Sequence, residues 1–499
     1  MDRDQQARLN RMFHPTGIAV FGAVTEPGKF GHMMLQSLLR YGYRGRIFPI
    51  SPRGGETLGL KVFGSLTEVE GPVDLACICV PAEDVPGVLL DCLKRGIPGA
   101  QILTSGFAET AAPAGIALQE EVARIARMGI RVLGPNCFGI HCPKGGVTII
   151  PGFDFSRELG TVGLISQSGG VAADFGHEAQ AAGLGISKVI SFGNGCDLDS
   201  SELLEYLAED PETRLVGAYI EGMQDGRRFL KALSLLTRSK PAVIWKGGLT
   251  PQGGRAARGH TGALAGKAAI WGGALAQAGA VAVQGLEEML DSLVALNSLH
   301  ALGRRIALIG ASGAGGVHSS DLAHRWGLAV EPFGQETQRR LREILPTPGN
   351  SVANPLDTGM PALPLETLVG LMGEVLTREP VDLMIVTLLL HPLMVVFPTY
   401  LTMDGLDSPR RQGYLSGLLE AASRMKKVTG KDILMVWENR AKRVEDLEVE
   451  EIVRVMRPRF QAESIPVFPS VERALRAVRN ARLSGHRCRG SARIPISSM

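Results

Sequence analysis

The chain has 499 residues, of which 45% are hydrophobic and 21% charged, the balance of an ordinary soluble globular protein. That length leaves room for roughly two to four domains, each with its own core. A formal net charge of +3 and an aromatic content of 5% give no support to nucleic acid or an acidic membrane surface as a partner.

The opening "MDRDQQARLNRMFHP" lacks the apolar core of a secretory signal. The most apolar run, "LMIVTLLLHPLMVVF", is broken by His391 and Pro392 and falls short of the roughly 20 residues of a membrane span. The 7 cysteines show no CxxC spacing, so reduced thiols in a cytoplasmic protein are expected.

Along the chain, "GIAVFGA", "GRIFPISP", "DLACICVP", "AQILTSG" and "IRVLGPNC" read as short strands. Amphipathic helical stretches such as "HMMLQSLLRYGY", "VPGVLLDCLKRG" and "ALQEEVARIARMG" separate them. This alternation predicts an α/β domain with a doubly wound parallel sheet over 10–145, its ligands at the carboxyl ends of the strands. A second α/β unit is expected over 158–300 and a third over 303–480. The segments "LISQSGGVAADFGHEAQAAGLGI" and "RRIALIGASGAGGVHSSDLAHRWGLAV" share the order strand, Ser/Gly turn, helix, Gly-Leu, which predicts two related flavodoxin-like units. Residues 481–499 have no periodicity and are expected to form a disordered tail.

Several strand ends carry groups suited to ligands. "GAVTEPGKFG" follows a strand and opens a helix, as a phosphate cradle does, although tight strand–helix packing is an alternative reading. Its spacing is not GxGxxG, and "ISPRGGE" puts Arg53 where a dinucleotide fold would hold an acid for ribose. "VPAE", "TSGFAET" and "GPNCFG" add small or polar groups at further strand ends. In "SQSGG", Ser168, Gly169 and Gly170 present backbone N–H groups to an anion, or simply cap a helix. "GASGAGG" at 310–316 reads as structural.

"GRAARGHTGALAG" surrounds His260 with small residues. A lone histidine is usually a core or surface residue, and no His, Cys or Asp lies nearby at metal-ligand spacing, so no metal site is expected. A neutral imidazole can also accept a phosphoryl group if a carboxylate orients its other nitrogen and an anion site holds the product. Glu221 in "YIEG" and the turn at 168–170 could supply both.

Together these motifs, with "SFGNGCDLDSSELLEYLAEDPET" and "NPLD", resemble the NDP-forming acyl-CoA synthetases, which are related to succinyl-CoA synthetase. The matching pieces run in the family's order from about 15 to 480. The resemblance implies an N-terminal Rossmann-like CoA-binding domain, a ligase domain with a phosphohistidine loop and a second flavodoxin-like ligase domain. It implies that coenzyme A contacts Gly22, Thr25, Gly28, Arg53, Pro81, Ser105, Gly106 and Asn136. His260 would become phosphorylated and Glu221 would stabilise it. Ser168, Gly169 and Gly170, with Gly259 and Thr261, would surround the phosphate. Gly259 departs from the Ser common before the histidine in acetate-type members.

The implied reaction is acyl-CoA + phosphate + NDP ⇌ acid + CoA + NTP, through an acyl phosphate. No segment remains for the family's ATP-grasp domain, so the chain is expected to be the α-type subunit. A separate ATP-grasp β-type partner would bind the Mg-nucleotide, in an α2β2 assembly. A non-catalytic CoA-binding scaffold is the rival reading. A dehydrogenase would rest on the first glycine turn alone. No residue dictates the acid, or ADP over GDP.

Overall fold

The computed structural model describes residues 1–22, 24–148, 155, 157–261, 268–300, 303–345, 349–360, 363–390, 408–439, 444 and 447–488. They divide into two compact units, one chiefly Met1–Gln180 with Leu184–Met289, the other chiefly Leu290–His486.

The first unit begins with α1 (Arg3–Phe13), whose N-terminus is closed by the Asp2 carboxylate accepting the Gln5 N–H at 2.8 Å. There follow β1 (Gly17–Gly22), α2 (Phe30–Tyr41), β2 (Arg46–Ile50), the hairpin β3 (Gly55–Thr57) and β4 (Leu60–Val62), and β5 (Leu75–Cys79). Then come α3 (Val85–Lys94), β6 (Gly99–Ile102), α4 (Pro113–Ala126) and β7 (Arg131–Leu133). The sheet order is β2-β1-β5-β6-β7 and every pairing is parallel. Ile18, Ala19 and Val20 are fully buried, as are Leu75, Ala76, Cys77 and Ile78. Helices cover both faces of such a sheet, so its strands are continuous apolar runs.

The same unit continues with β8 (Gly139–Cys142), β9 (Val147–Thr148), β10 (Leu159–Ser166), α5 (Gly169–Ala181), β11 (Ile186–Ser191) and α6 (Ser200–Glu209). After these come β12 (Leu215–Ile220), α7 (Gly226–Leu236), β13 (Ala242–Lys246), α8 (Pro251–Thr261), α9 (Ala268–Ala278) and β14 (Val281–Val283), and then α10 (Leu286–Ser298), which from Leu290 on belongs to the second unit. The sheet order is β14-β13-β12-β10-β11-β8-β9. Strand β8 therefore belongs to this second sheet although it falls within 10–145, read as the first domain, and β9 follows it there. The cause is packing: β8 pairs antiparallel with β11, and Ile140 and Cys142 share a buried cluster with Ile165 and Ile190.

The second unit contains β15 (Ile306–Gly310), α11 (Gly313–Arg325), α12 (Gln335–Ile344), β16 (Leu356–Asp357), α13 (Leu365–Arg378) and β17 (Leu383–Leu389). It continues through α14 (Ser408–Thr429), β18 (Asp432–Glu438), α15 (Leu447–Ala462), β19 (Val467–Phe468) and α16 (Val471–Cys488). Its sheet order is β16-β15-β17-β18-β19, all parallel. In all three sheets the first parallel strand lies between the second and the third, the flavodoxin-like order, which creates a ligand crevice at that reversal. Helix α16 carries regular structure past 481, where a tail was expected, because Ala474, Leu475, Ala477, Val478 and Ala481 are buried. Residues 489–499 lie outside the described residues.

Candidate functional site

The reversal in the first sheet, between the carboxyl ends of β1 and β5, opens a cleft of about 1040 Å³. Gly22, Thr25, Arg53, Pro81 and Ser105 all line it, and Lys29, Phe30 and Cys79 join them. Gly22 is required twice over. Its φ is +123°, and a Cβ there would lie 2.7 Å from the Cys79 carbonyl oxygen. Gly28, with φ +83° and open space where a Cβ would point, bends the loop into α2. Arg53 pairs with Glu26 at 3.5 Å across the mouth, largely exposed. Burial pushes the Cys79 thiol up to about 12, with the neighbouring Cys137 adding to the rise, so it stays protonated near neutral pH.

Gly106 and Asn136 do not line this cleft. The Gly106 N–H donates to Glu109 Oε1 at 2.6 Å, so that donor is already occupied. Asn136 has φ +56° and donates its backbone N–H to the Thr104 carbonyl at 3.0 Å. Its side-chain amide lies 3.5 Å from Asn194 Oδ1, on the turn after β11. Both residues serve the junction of the first two sheets.

In the second sheet, β10 and β12 are neighbours, and their carboxyl ends bring the turn at 168–170 beside Glu221. Ser168 caps α5: its Oγ accepts the Val171 N–H at 3.4 Å, and its carbonyl accepts the Ser166 hydroxyl at 2.7 Å. Gly169 is glycine for packing, since a Cβ would lie 2.7 Å from the Phe138 ring. At Gly170 a Cβ would meet only Ser168 Oγ, at 3.8 Å, which leaves this side of the helix N-terminus open to an anion.

Glu221 is buried, and its Oε1 accepts the Tyr219 hydroxyl at 2.9 Å. The element joining it to the anion turn is Gln167, whose Oε1 accepts the N–H groups of Glu221 at 2.6 Å and Gly222 at 2.9 Å. Beneath Glu221, Lys246 Nζ donates to its carbonyl at 2.7 Å and to the Gly247 carbonyl. Burial holds the Lys246 ammonium below its ordinary range, against the opposing pull of Glu221. Gln167, Tyr219 and Lys246 were not singled out from the sequence. Gln167 sits inside a quoted motif, but its partners lie 54 and 55 positions away and no spacing rule reaches them.

Gly259, His260 and Thr261 occupy the last turn of α8, where a loop was expected. Their side chains lie outside the described residues, as do residues 262–267. Despite its glycines α8 closes tightly onto the end of β13: a Cβ on Gly248 would lie 3.1 Å from Ala257 Cβ, and one on Gly253 3.3 Å from Gly248 Cα. The small residues on α8 therefore give close packing. On another side α8 packs against the turn Ala108–Thr110.

Among the described residues no cluster of three or more His, Cys, Asp or Glu side chains could hold a metal ion, and no helix is long and apolar enough to cross a membrane.

A family model described as "CoA binding domain" matches residues 16–143, and one described as "Succinyl-CoA ligase like flavodoxin domain" matches residues 159–296. The α subunit of acetate–CoA ligase [ADP-forming] II from Pyrococcus furiosus is 37% identical over 350 residues, which cover 70% of this chain and 76% of that subunit. The chain belongs to the NDP-forming acyl-CoA synthetase family, as an α-type subunit. Acetate–CoA ligase [ADP-forming] I of Archaeoglobus fulgidus is 35% identical over 353 residues, and the match spans 50% of that longer protein. A solved structure from Ca. Korarchaeum cryptofilum, described as a dinucleotide forming acetyl-coenzyme A synthetase 1 in complex with phosphate and ADP, superposes with a TM-score of 0.81 at 30% identity. It covers 97% of this chain and 99% of that one. An α-type member of such a family implies a partner subunit.

Proposed function

We propose that this chain performs the acyl-transfer and first phosphoryl-transfer steps of an NDP-forming acyl-CoA synthetase in the cytoplasm, through a phosphohistidine at His260. Coenzyme A occupies the cleft at β1 and β5, its phosphates facing Thr25, Lys29 and Arg53 and its thiol end directed toward Ser105. A phosphate oxygen attacks the thioester carbonyl carbon, the C–S bond breaks, and the CoA sulfur leaves and takes up a proton. The imidazole of His260 then attacks phosphorus in the acyl phosphate. The bond between phosphorus and the acyl oxygen breaks, and the carboxylate departs. A terminal phosphate oxygen of ADP or GDP finally takes the phosphoryl group and restores the imidazole.

Each protein group has a physical task in this sequence. Glu221 accepts the remaining ring N–H and keeps the attacking nitrogen unprotonated. The phosphoryl group needs positive potential, which the carboxyl end of α8 cannot give, because a helix C-terminus is the negative pole. The N-terminus of α5 gives it at Ser168–Gly170.

The observation that carries this reading is the bond between Gln167 and Glu221, which ties the anion turn and the orienting carboxylate into one unit. The nucleotide would be held, with magnesium, on a separate ATP-grasp chain, in an α2β2 complex. With that partner, acyl-CoA, phosphate and ADP or GDP should yield the nucleoside triphosphate, and the chain alone should yield none. Full turnover by the chain alone contradicts the division of labour. No turnover with the partner, over a panel of acyl-CoAs, contradicts the synthetase reading.

A further inference from the structure

We infer that Glu109 is a positioning residue that couples the CoA-side loop to the helix bearing His260. Its carboxylate is a junction of three donors. Oε1 accepts the N–H groups of Gly106 at 2.6 Å and Phe107 at 3.1 Å, and Oε2 accepts the Asn194 side-chain amide at 2.6 Å. That amide also donates to Gln119 Oε1 at 2.8 Å, and the Asn194 backbone N–H donates to the Pro135 carbonyl at 3.0 Å. Glu109 therefore locks the loop after β6 to the turn after β11.

The turn Ala108–Thr110 that carries Glu109 is also the surface on which α8 rests. Thr110 Oγ1 closes the turn by donating to the Phe107 carbonyl at 2.8 Å. One residue before Gly106, Ser105 lines the CoA cleft. Hydrogen bonds thus tie the loop next to the cleft, through Gly106, to Glu109, and the turn that carries Glu109 packs against α8. Movement of the Ser105 loop when CoA enters or leaves is thereby passed to the turn against which α8, the helix bearing His260, packs.

The donor pattern makes this testable by exchange of polarity. A carboxylate accepts from all three donors. A glutamine offers one acceptor, and its amide hydrogens then face either the Asn194 amide or the backbone N–H groups. Changing Asn194 to Asp turns that neighbour into an acceptor, and Gln119 can rotate its amide to donate in place of accepting. Glu109→Gln and Asn194→Asp should each be defective, whereas the double variant should recover.

The inference rests on the proposed phosphohistidine, so two readouts are taken on the full-length chain. The first is the rate at which labelled phosphate enters His260 in the presence of acyl-CoA. The second is hydrogen exchange of the backbone over 251–261, with CoA affinity measured alongside. Each single variant should label about 30-fold more slowly and exchange faster over 251–261, with CoA affinity within about three-fold of wild type; the double variant should return to within about three-fold in both. Single variants with wild-type labelling and exchange overturn the inference, and so does a double variant that folds and binds CoA but does not recover. A wild-type chain that takes no label defeats the phosphohistidine instead. The exchange pattern then decides by itself whether Glu109 supports α8.

Discussion

The side-chain oxygen of Gln167 accepts the backbone N–H of Glu221 at 2.6 Å, across 54 positions of sequence. It takes the Gly222 N–H at 2.9 Å as well, so one buried amide fixes the ends of β10 and β12 against each other. Gln167→Leu would leave those two N–H groups without that acceptor, at a cost of about 1–3 kcal/mol each. We expect phosphorylation of His260 to slow about 100-fold, as when one preorganised polar contact is removed from an active site. CoA affinity, measured by calorimetry, should stay within about two-fold because the first sheet is untouched.

Gly169 and Gly170 should separate packing from anion binding. A methyl at 169 meets the Phe138 ring at 2.7 Å, so Gly169→Ala should lower stability by about 1–3 kcal/mol as the turn shifts. A methyl at 170 meets only Ser168 Oγ at 3.8 Å, so Gly170→Ala should unfold like wild type while its labelling rate falls. Thermal unfolding and phosphate incorporation, measured on both variants, check the contrast.

The α/β alternation and the strand-end turns were legible because strands buried on both faces must be apolar runs and the ligand-facing turns follow them directly. The polar junctions were not. Glu109 and Asn194 are 85 positions apart, and nothing in either local stretch points to the other. The helix at His260 was hidden for another reason: its glycines disfavour a helix by about 1 kcal/mol each, and its close packing onto Gly248 is a tertiary contact no local pattern shows. Strand β8 falls within 10–145 in sequence yet joins the second sheet, because its antiparallel pairing with β11 is a tertiary choice that no local pattern reveals.

Lys188 is fully buried, 3.0 Å from Asp210 Oδ2, and also bonds Glu212. Thr213 Oγ1 donates to the same Asp210 oxygen at 2.6 Å. Lys188→Met removes one partner from a buried ion pair and leaves Asp210 uncompensated. The expected loss is about 3–5 kcal/mol, read by chemical denaturation. Retention of wild-type stability would show that the pair contributes nothing.

Acid should weaken the same region. Burial raises the Glu212 carboxyl, but hydrogen bonds from Lys188 and Lys144 outweigh that and bring it from its ordinary 4.5 to about 2. A folded-state value below the unfolded one gives stability that is present above pH 4.5 and is lost as the pH falls toward 2. Because Glu212 is partly exposed, solvent screening leaves about 1 kcal/mol of this effect. Glu212→Gln should flatten the stability curve by that amount between pH 4.5 and 2, measured by denaturant unfolding.

The central claim is the phosphohistidine, and the direct test is incubation of the chain with acyl-CoA and labelled phosphate. Acid-labile, base-stable label should appear on wild type, fall about 100-fold or more in rate with Glu221→Gln, and be absent from His260→Ala. Equal label on His260→Ala, or none on wild type with any acyl-CoA tried, would contradict the account.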